Sequence, residues 1–519
     1  MPLIRSRELA VLAAIVVVFA ISLGRTAGYA FVWDDVREIE QNPAFDAPLW
    51  DGLGTTQTER TDPDLTELAT IKLAYDSYRP LLFTSYWIDI QLFGRSARAL
   101  HLVNVLLGAL AILLAHALAR RWVPAHALVA TAIFALHPAQ IEAVAYISAR
   151  GDLLAGLLAM LATLAASRAL EPERRPAGWC ALAALGFAAS LFTKEAYLGL
   201  PLAIAAIAWS AQQLRRRWWV PASLAVVSIG YFVVRAMIVT ATSGSAARQA
   251  LVALPGIVLE YVRILVFPFD LSTERMIDPR YAIPGWLVAI AAVAIVVWRG
   301  QRARPVVSAL AWMVVLLAPS AVAIASTGVV ADRYSYLSVL GAAVALVAAG
   351  VALSTRLPKL RVPMIALAVL WGGLTQVVAS RQVLVWTDNA TLYANAAAMT
   401  PESSQAQYRL GFLDVAAQRW DDAIARFELA IELDPENTFA HNNLGVVFLR
   451  VHRPADAEAH LARAVELSPA HFRAWFNLGI ARRQLGNPQG ACAANARALA
   501  INPRYEAAMR EQRARCPGR

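Results

Sequence analysis

Long apolar runs separated by short basic loops fill the chain to about residue 380, and an evenly mixed helical pattern follows. Runs long enough to cross a hydrocarbon layer fall at 8–24, 99–119, 124–141, 150–168, 177–193, 196–213, 218–239, 284–298, 305–325, 336–353 and 362–379, which predicts about 11 transmembrane helices. Two further apolar stretches, 80–93 and 254–269, read as interfacial or re-entrant helices. The second carries Glu260 and Arg263 on one helix face and ends in Phe267-Pro268-Phe269-Asp270. The first run starts at Glu8 without a small-residue cleavage site, so a retained anchor is expected rather than a signal peptide.

The basic residues set the sidedness. Arg5 and Arg7, Arg120-Arg121, Arg168 with Arg174 and Arg175, Arg215-Arg216-Arg217, Arg299 with Arg302 and Arg304, and Arg356 with Lys359 and Arg361 fall in alternate loops. An eleven-span count puts all of them on the cytoplasmic side; counting 254–269 as a crossing would put the last two clusters outside. The loop 25–98, the turns near 142–150, 194–195 and 326–335, the region 240–283 and the whole tail then share the outer side.

In the tail, Pro401, Pro435, Pro469 and Pro503 are spaced 34 apart. The same period relates Leu410-Gly411, Leu444-Gly445 and Leu478-Gly479, then Ala423, Ala457 and Ala491, then Ala430, Ala464 and Ala498. This is the tetratricopeptide period, with Gly permitting close helix approach and Pro opening the next repeat. Repeats are expected near 404–437, 438–471 and 472–505, followed by a short capping helix. The third is weaker, since Asn495 stands where Phe427 and Leu461 stand in the others. The fold class is therefore all-α: residues 1–380 form a polytopic membrane domain and 381–519 an α-solenoid, which presents a concave face to peptides or serves as an oligomerisation module.

Composition agrees. The chain is 58% hydrophobic and 16% charged, with a mean hydropathy of +0.49. Its net charge of +10 resides largely in the inter-span loops, so it signals topology rather than nucleic acid. Cys180 lies in a span; Cys492 and Cys516 would pair if the tail meets an oxidising compartment. No Gly-rich phosphate loop, zinc-spaced His/Cys set or Ser-His-Asp arrangement is evident.

Polar motifs gather on the outer side. They are Asp34-Asp35 with Asn42-Pro43; His137-Pro138, Glu142, Tyr146, Arg150 and Asp152; Lys194-Glu195; Asp332-Arg333-Tyr334; and the weaker Tyr78-Arg79-Pro80. On a continuous helix Glu142, Tyr146 and Arg150 would share one face. Singly, each has a plain structural reading: Lys194-Glu195 as a helix-end ion pair, Asp332-Arg333 as an anchor, His137-Pro138 as a helix stop, Asp34-Asp35 as a solvated flank. Together they point to a polar site, because charges at span ends near hydrocarbon are costly. The residue types suit group transfer from a phosphate-bearing lipid. A carboxylate can take the acceptor proton, and Arg and Lys can hold the phosphate leaving group. Alternatively Asp34 and Asp35 could hold a divalent cation (Mg or Mn); the residues leave a cofactor and no cofactor equally open.

The acidic pair in the first outer loop, the His-Pro…Glu-Ala-Val…Arg-x-Asp run, the Lys-Glu and Asp-Arg-Tyr turns and the terminal repeats together resemble the transmembrane-and-tetratricopeptide-repeat (TMTC) family of O-mannosyltransferases, in the GT-C superfamily. The resemblance covers essentially the whole chain. It implies a GT-C-type membrane domain, a polyprenyl-phosphate sugar donor, inversion at the anomeric carbon and a protein Ser or Thr acceptor recruited by the repeats. It also implies that Asp34 or Asp35 is the base, with Arg79, His137, Glu142, Arg150, Asp152, Lys194, Glu195, Asp332, Arg333 and Tyr334 around the donor. Charge and side favour Arg150, Lys194 and Arg333 for the phosphate. The repeat array is short beside the long arrays typical of animal members. The Ala- and Arg-rich composition implies a bacterial inner membrane, with the N-terminus cytoplasmic and the repeats periplasmic. Two rival readings are transfer to a lipid or glycan and a non-catalytic membrane scaffold.

Overall fold

The computed structural model describes residues 6–53, 77–172, 175–238, 245–269, 271, 275–276, 304–327 and 329–516. It is helical throughout, apart from a two-residue antiparallel ladder pairing Arg275 with Val330 and Met276 with Val329. The chain forms two compact units, which divide in sequence after Asn389. The last apolar helix, Arg361–Val385, runs past the boundary expected near 380.

In the first unit, seven described helices are long and apolar enough to cross a membrane: Ser6–Gly28, Ala97–Trp122, Ile147–Ala169, Pro176–Thr193, Trp219–Ile238, Ser338–Arg356 and Pro358–Val385. Shorter apolar helices, Pro124–Leu136, Glu195–Ser210 and Ser308–Leu317, occupy three more of the expected spans. The expected span 284–298 lies outside the described residues. The stretch 254–269 belongs mostly to a longer helix, Ser245–Val266.

The described part of the loop after the first helix is held rather than solvated. A cluster of Ile39, Phe45, Phe83, Tyr86, Ile90, Leu100 and Ile147 fixes it to helix Pro80–Phe93, and Phe45 stacks on Phe83 at 5.0 Å. That helix keeps Leu92 and Phe93 exposed on its other face. Arg95 clamps the loop backbone, donating to the carbonyls of Ile39 (2.6 Å), Glu40 (2.9 Å) and Asn42 (2.8 Å). Asn42, the residue before Pro43, caps the short 3₁₀ turn Pro43–Phe45 by accepting from the Ala44 amide. Its role is therefore local to the turn.

The second unit stacks helical hairpins, Ser404–Ala416 with Trp420–Leu433, Thr438–Arg450 with Pro454–Leu467, and Phe472–Gln484 with Pro488–Ile501, before a last helix Glu506–Arg515. Alanines and Phe427, Leu444, Leu461 and Leu478 form one continuous core. The repeat glycines are needed for close approach: a Cβ on Gly445 would lie 2.5 Å from the Leu461 side chain. Asn495, the odd residue of the third repeat, has a partner of its own. It is buried and donates to the Ala508 carbonyl (3.0 Å) and to Gln512 (2.9 Å), so it ties down the last helix instead of filling the core. Cys492 and Cys516 form a disulfide across the same junction.

Candidate active site

The acidic pair opens a strained turn. Trp33 sits at φ 55°, a left-handed backbone that a bulky residue enters at a cost of about 1–3 kcal/mol. Its amide donates to Asn389 Oδ1 at 2.7 Å, and a π-helical turn, Val36–Glu40, follows Asp35. Surrounding contacts hold the turn. The Trp33 ring stacks on Tyr146 at 5.6 Å, and Tyr146 stacks on Trp386 at 5.1 Å.

The two aspartates differ. Asp35 is fully buried and saturated: Oδ1 accepts from the Ser148 amide (2.7 Å) and hydroxyl (2.6 Å), and Oδ2 from the Val32 amide (3.3 Å). Burial lifts its pKa to about 7, the Asp34 charge adding to the rise and the three hydrogen bonds opposing it. Asp34 keeps 42% of its side chain exposed. It accepts from the Tyr146 hydroxyl at 3.1 Å and lies 3.8 Å from Arg37, which also pairs with Glu38 at 3.0 Å.

Behind the pair lies a set of ion pairs built from chain segments far apart in sequence. Arg333 binds Glu142 twice, through its guanidinium and through its amide (2.9 Å), and approaches Asp152 at 3.7 Å. Lys194 donates to Asp152 at 2.6 Å. Arg79 makes a two-pronged pair with Glu195, at 2.8 and 3.2 Å. The Arg333 guanidinium lies 5.6 Å from the Tyr146 ring centre, 5.9 Å from that of Trp33 and 5.1 Å from that of Tyr334; Lys194 lies 5.3 Å from the Tyr334 ring. Burial holds the Lys194 pKa below its ordinary value, with Asp152 pulling the other way. Asp152 stands in the first turn of helix Arg150–Ala169, where a carboxylate meets the positive end of the helix dipole.

The residues expected at the site thus divide. Asp34, Asp35, Glu142, Asp152, Lys194, Arg333 and Tyr334 form one contact network, with Arg79 and Glu195 paired beside it. Asp332 is buried in the same turn as Arg333. Arg150 and His137 have structural partners. Arg150 is wholly buried, donating to Asp89 (2.5 Å), Asn104 (2.7 Å) and the Leu100 carbonyl (3.2 Å). His137 is buried against the Leu265 carbonyl (3.2 Å) and ends helix Ala127–Leu136. Glu142, Tyr146 and Arg150 do not lie on one continuous helix. Helix Gln140–Ala145 stops, Tyr146 turns extended at ψ 115°, and a 3₁₀ turn Ile147–Ala149 leads into the next helix. This break directs Tyr146 toward Asp34 and leaves Arg150 among other partners. Nor do Lys194 and Glu195 pair with each other; Lys194 is extended and each finds a distant partner. Ser148, Trp386 and Asn389 complete the site without any charge to signal them.

As a cation site the acidic pair fits poorly. Both Asp35 oxygens are already engaged by amides and a hydroxyl, and among the described residues no three His, Cys, Asp or Glu side chains converge as metal ligands. What the arrangement offers is an open carboxylate beside aromatic faces and guanidinium and ammonium groups.

Two family models match the chain: dolichyl-phosphate-mannose-protein mannosyltransferase over residues 79–239 and tetratricopeptide repeat over 442–506. Human protein O-mannosyl-transferase TMTC1 is 35% identical over 153 residues, covering 28% of this chain and 17% of that protein. Drosophila melanogaster protein O-mannosyl-transferase Tmtc1 is 37% identical over 97 residues, covering 18% and 11%. The chain thus aligns with less than a fifth of these relatives' length. Among solved structures, the Arabidopsis OM64 TPR domain is 23% identical, with a TM-score of 0.21 over 22% of this chain and 93% of that one.

Proposed function

We propose that this TMTC-like chain, which joins a protein-mannosyltransferase segment to tetratricopeptide repeats, is an inverting membrane glycosyltransferase working on the outer face of a bacterial inner membrane. It moves a hexose, mannose by similarity, from a polyprenyl phosphate to a Ser or Thr hydroxyl of a protein that the repeats recruit. The observation that carries this reading is the exposed Asp34 carboxylate, hydrogen-bonded to Tyr146, whose ring lies against Arg333.

Asp34 is the base, since Asp35 is buried and saturated. The acceptor oxygen attacks the anomeric carbon from the face opposite the phosphate and its proton passes to Asp34. The bond from that carbon to the phosphate oxygen breaks, and its electron pair leaves with the polyprenyl phosphate. Arg333 and Lys194 stabilise the charge that develops there. Asp35 positions Asp34 by fixing the turn to Ser148. The Cys492–Cys516 disulfide supports a repeat domain in an oxidising compartment, in agreement with the basic-loop topology.

The test supplies membranes containing the protein with labelled polyprenyl-phosphate mannose and a Ser/Thr-rich peptide. Label in the peptide, lost with Asp34→Asn at equal protein level, is expected. Label accumulating in lipid or glycan instead would overturn the protein acceptor, and undiminished transfer by Asp34→Asn would overturn the enzyme.

A further inference from the structure

At the far end of the helices that carry the acidic site lies an unassigned cavity of about 450 Å³. Helix Arg150–Ala169 connects the two places. Asp152 begins it, and Ser167, fifteen residues on and about 22 Å along the axis, lines the cavity. The lining mixes apolar groups such as Trp122 and Val344 with Arg121, Ser167, Glu171 and Gln213.

Three details mark it as a built site rather than a packing gap. Ser167 is 6% exposed, and its hydroxyl has no hydrogen-bond partner. A buried hydroxyl left unpaired is costly. Arg121 donates to Glu171 (2.5 Å) and the Ser167 carbonyl (3.2 Å), both through Nη2, so Nε and Nη1 make no hydrogen bond among the described residues. Glu171 stays about a third exposed, at 35%.

We propose that this cavity binds a phospholipid whose headgroup carries both a phosphate and an amine. The phosphate meets the open edge of Arg121 and the amine meets Glu171. The volume suits a headgroup and glycerol unit, with the acyl chains running out along the apolar helix faces. By the basic-loop topology this is the inner leaflet, so the site is separate from that of the sugar donor and does not depend on the transfer reading.

The full-length protein in nanodiscs is photolabelled with a diazirine-bearing phosphatidylethanolamine and the labelled peptides are mapped. Label is expected in 167–172 or 207–213, falling about fivefold or more in Ala348→Trp, which fills the cavity. Unlabelled phosphatidylethanolamine should compete, phosphatidylglycerol about fivefold less well, and soluble glycerophosphoethanolamine not at all. Glu171→Gln should erase the preference between the two lipids, a readout that stands if Ala348→Trp fails to fold. Equal competition by both lipids in the unmodified protein, or label undiminished in folded Ala348→Trp, would overturn the site. Competition by the soluble headgroup would overturn its lipid nature.

Discussion

The hydroxyl of Tyr146 donates to Asp34 at 3.1 Å while the ring of the same residue is held between Trp33 and Trp386. One side chain thus orients the exposed carboxylate and sets the aromatic surface beside it. On the proposed reaction, Asp34→Asn removes the base and lowers kcat by about 10²- to 10⁴-fold with unchanged thermal stability. Tyr146→Phe keeps the stack and loses only the hydrogen bond, so a loss of about tenfold or less is expected. Sugar transfer to peptide, measured with melting curves, checks both.

Asp35 should behave in the opposite way. Asp35→Ala leaves the Ser148 amide and hydroxyl and the Val32 amide without their acceptor, at a cost of about 1–3 kcal/mol for each buried group left unpaired. Its main effect is a lower melting temperature. A variant that melts normally yet transfers no sugar would exchange the roles of the two aspartates.

Stability should also carry an acidic signature. The ordinary Asp value of 3.8 rises to about 7 for Asp35 in the fold, so the folded state retains a proton that the unfolded chain gives up. That contribution is complete below about pH 4 and is lost as pH rises toward 7, amounting to about 4 kcal/mol at 1.36 kcal/mol per unit. Melting temperatures between pH 4 and 8 should decline more steeply for the parent than for Asp35→Asn.

Arg333→Lys keeps the charge but loses the planar fork that meets Glu142 while facing Tyr146 and Tyr334. A fall in kcat of about tenfold or more is expected, with a smaller change in KM for the lipid donor, because the fork matters most when phosphate charge develops. A change in KM alone would assign Arg333 to binding only.

In the repeats, Gly445→Val forces a side chain into Leu461 and should destabilise the domain by about 1–3 kcal/mol. Circular dichroism of the full chain reads this as an early partial transition.

The repeats are legible in the sequence because the same helix contact recurs every 34 residues, leaving the same small residues at the same places. The acidic loop, Glu142, Lys194 and Arg333 are legible because charges amid apolar runs carry a cost that needs a reason. That signal does not discriminate among reasons. Arg150 has the same sequence signature, yet it pairs with Asp89 and Asn104 inside the packed bundle. The apolar runs place a turn near 142–150, but not its break at Tyr146, since nothing in Glu-Ala-Val-Ala-Tyr opposes a helix. Ser148, Trp386 and Asn389 escape notice for a different reason. They are uncharged and act on residues more than a hundred positions away, as Ser148 does on Asp35 at a separation of 113.

The ion pairs Arg333–Glu142, Lys194–Asp152 and Arg79–Glu195 leave the site near electroneutral at rest. On the proposed reaction, an arriving donor phosphate would share its cations with carboxylates already seated there. Its resting grip is therefore loose, and the cations have most to gain when bond breaking adds negative charge. On that reaction the same carboxylates would compete for the cations once the sugar has gone, displacing the spent lipid phosphate and resetting the site for the next donor.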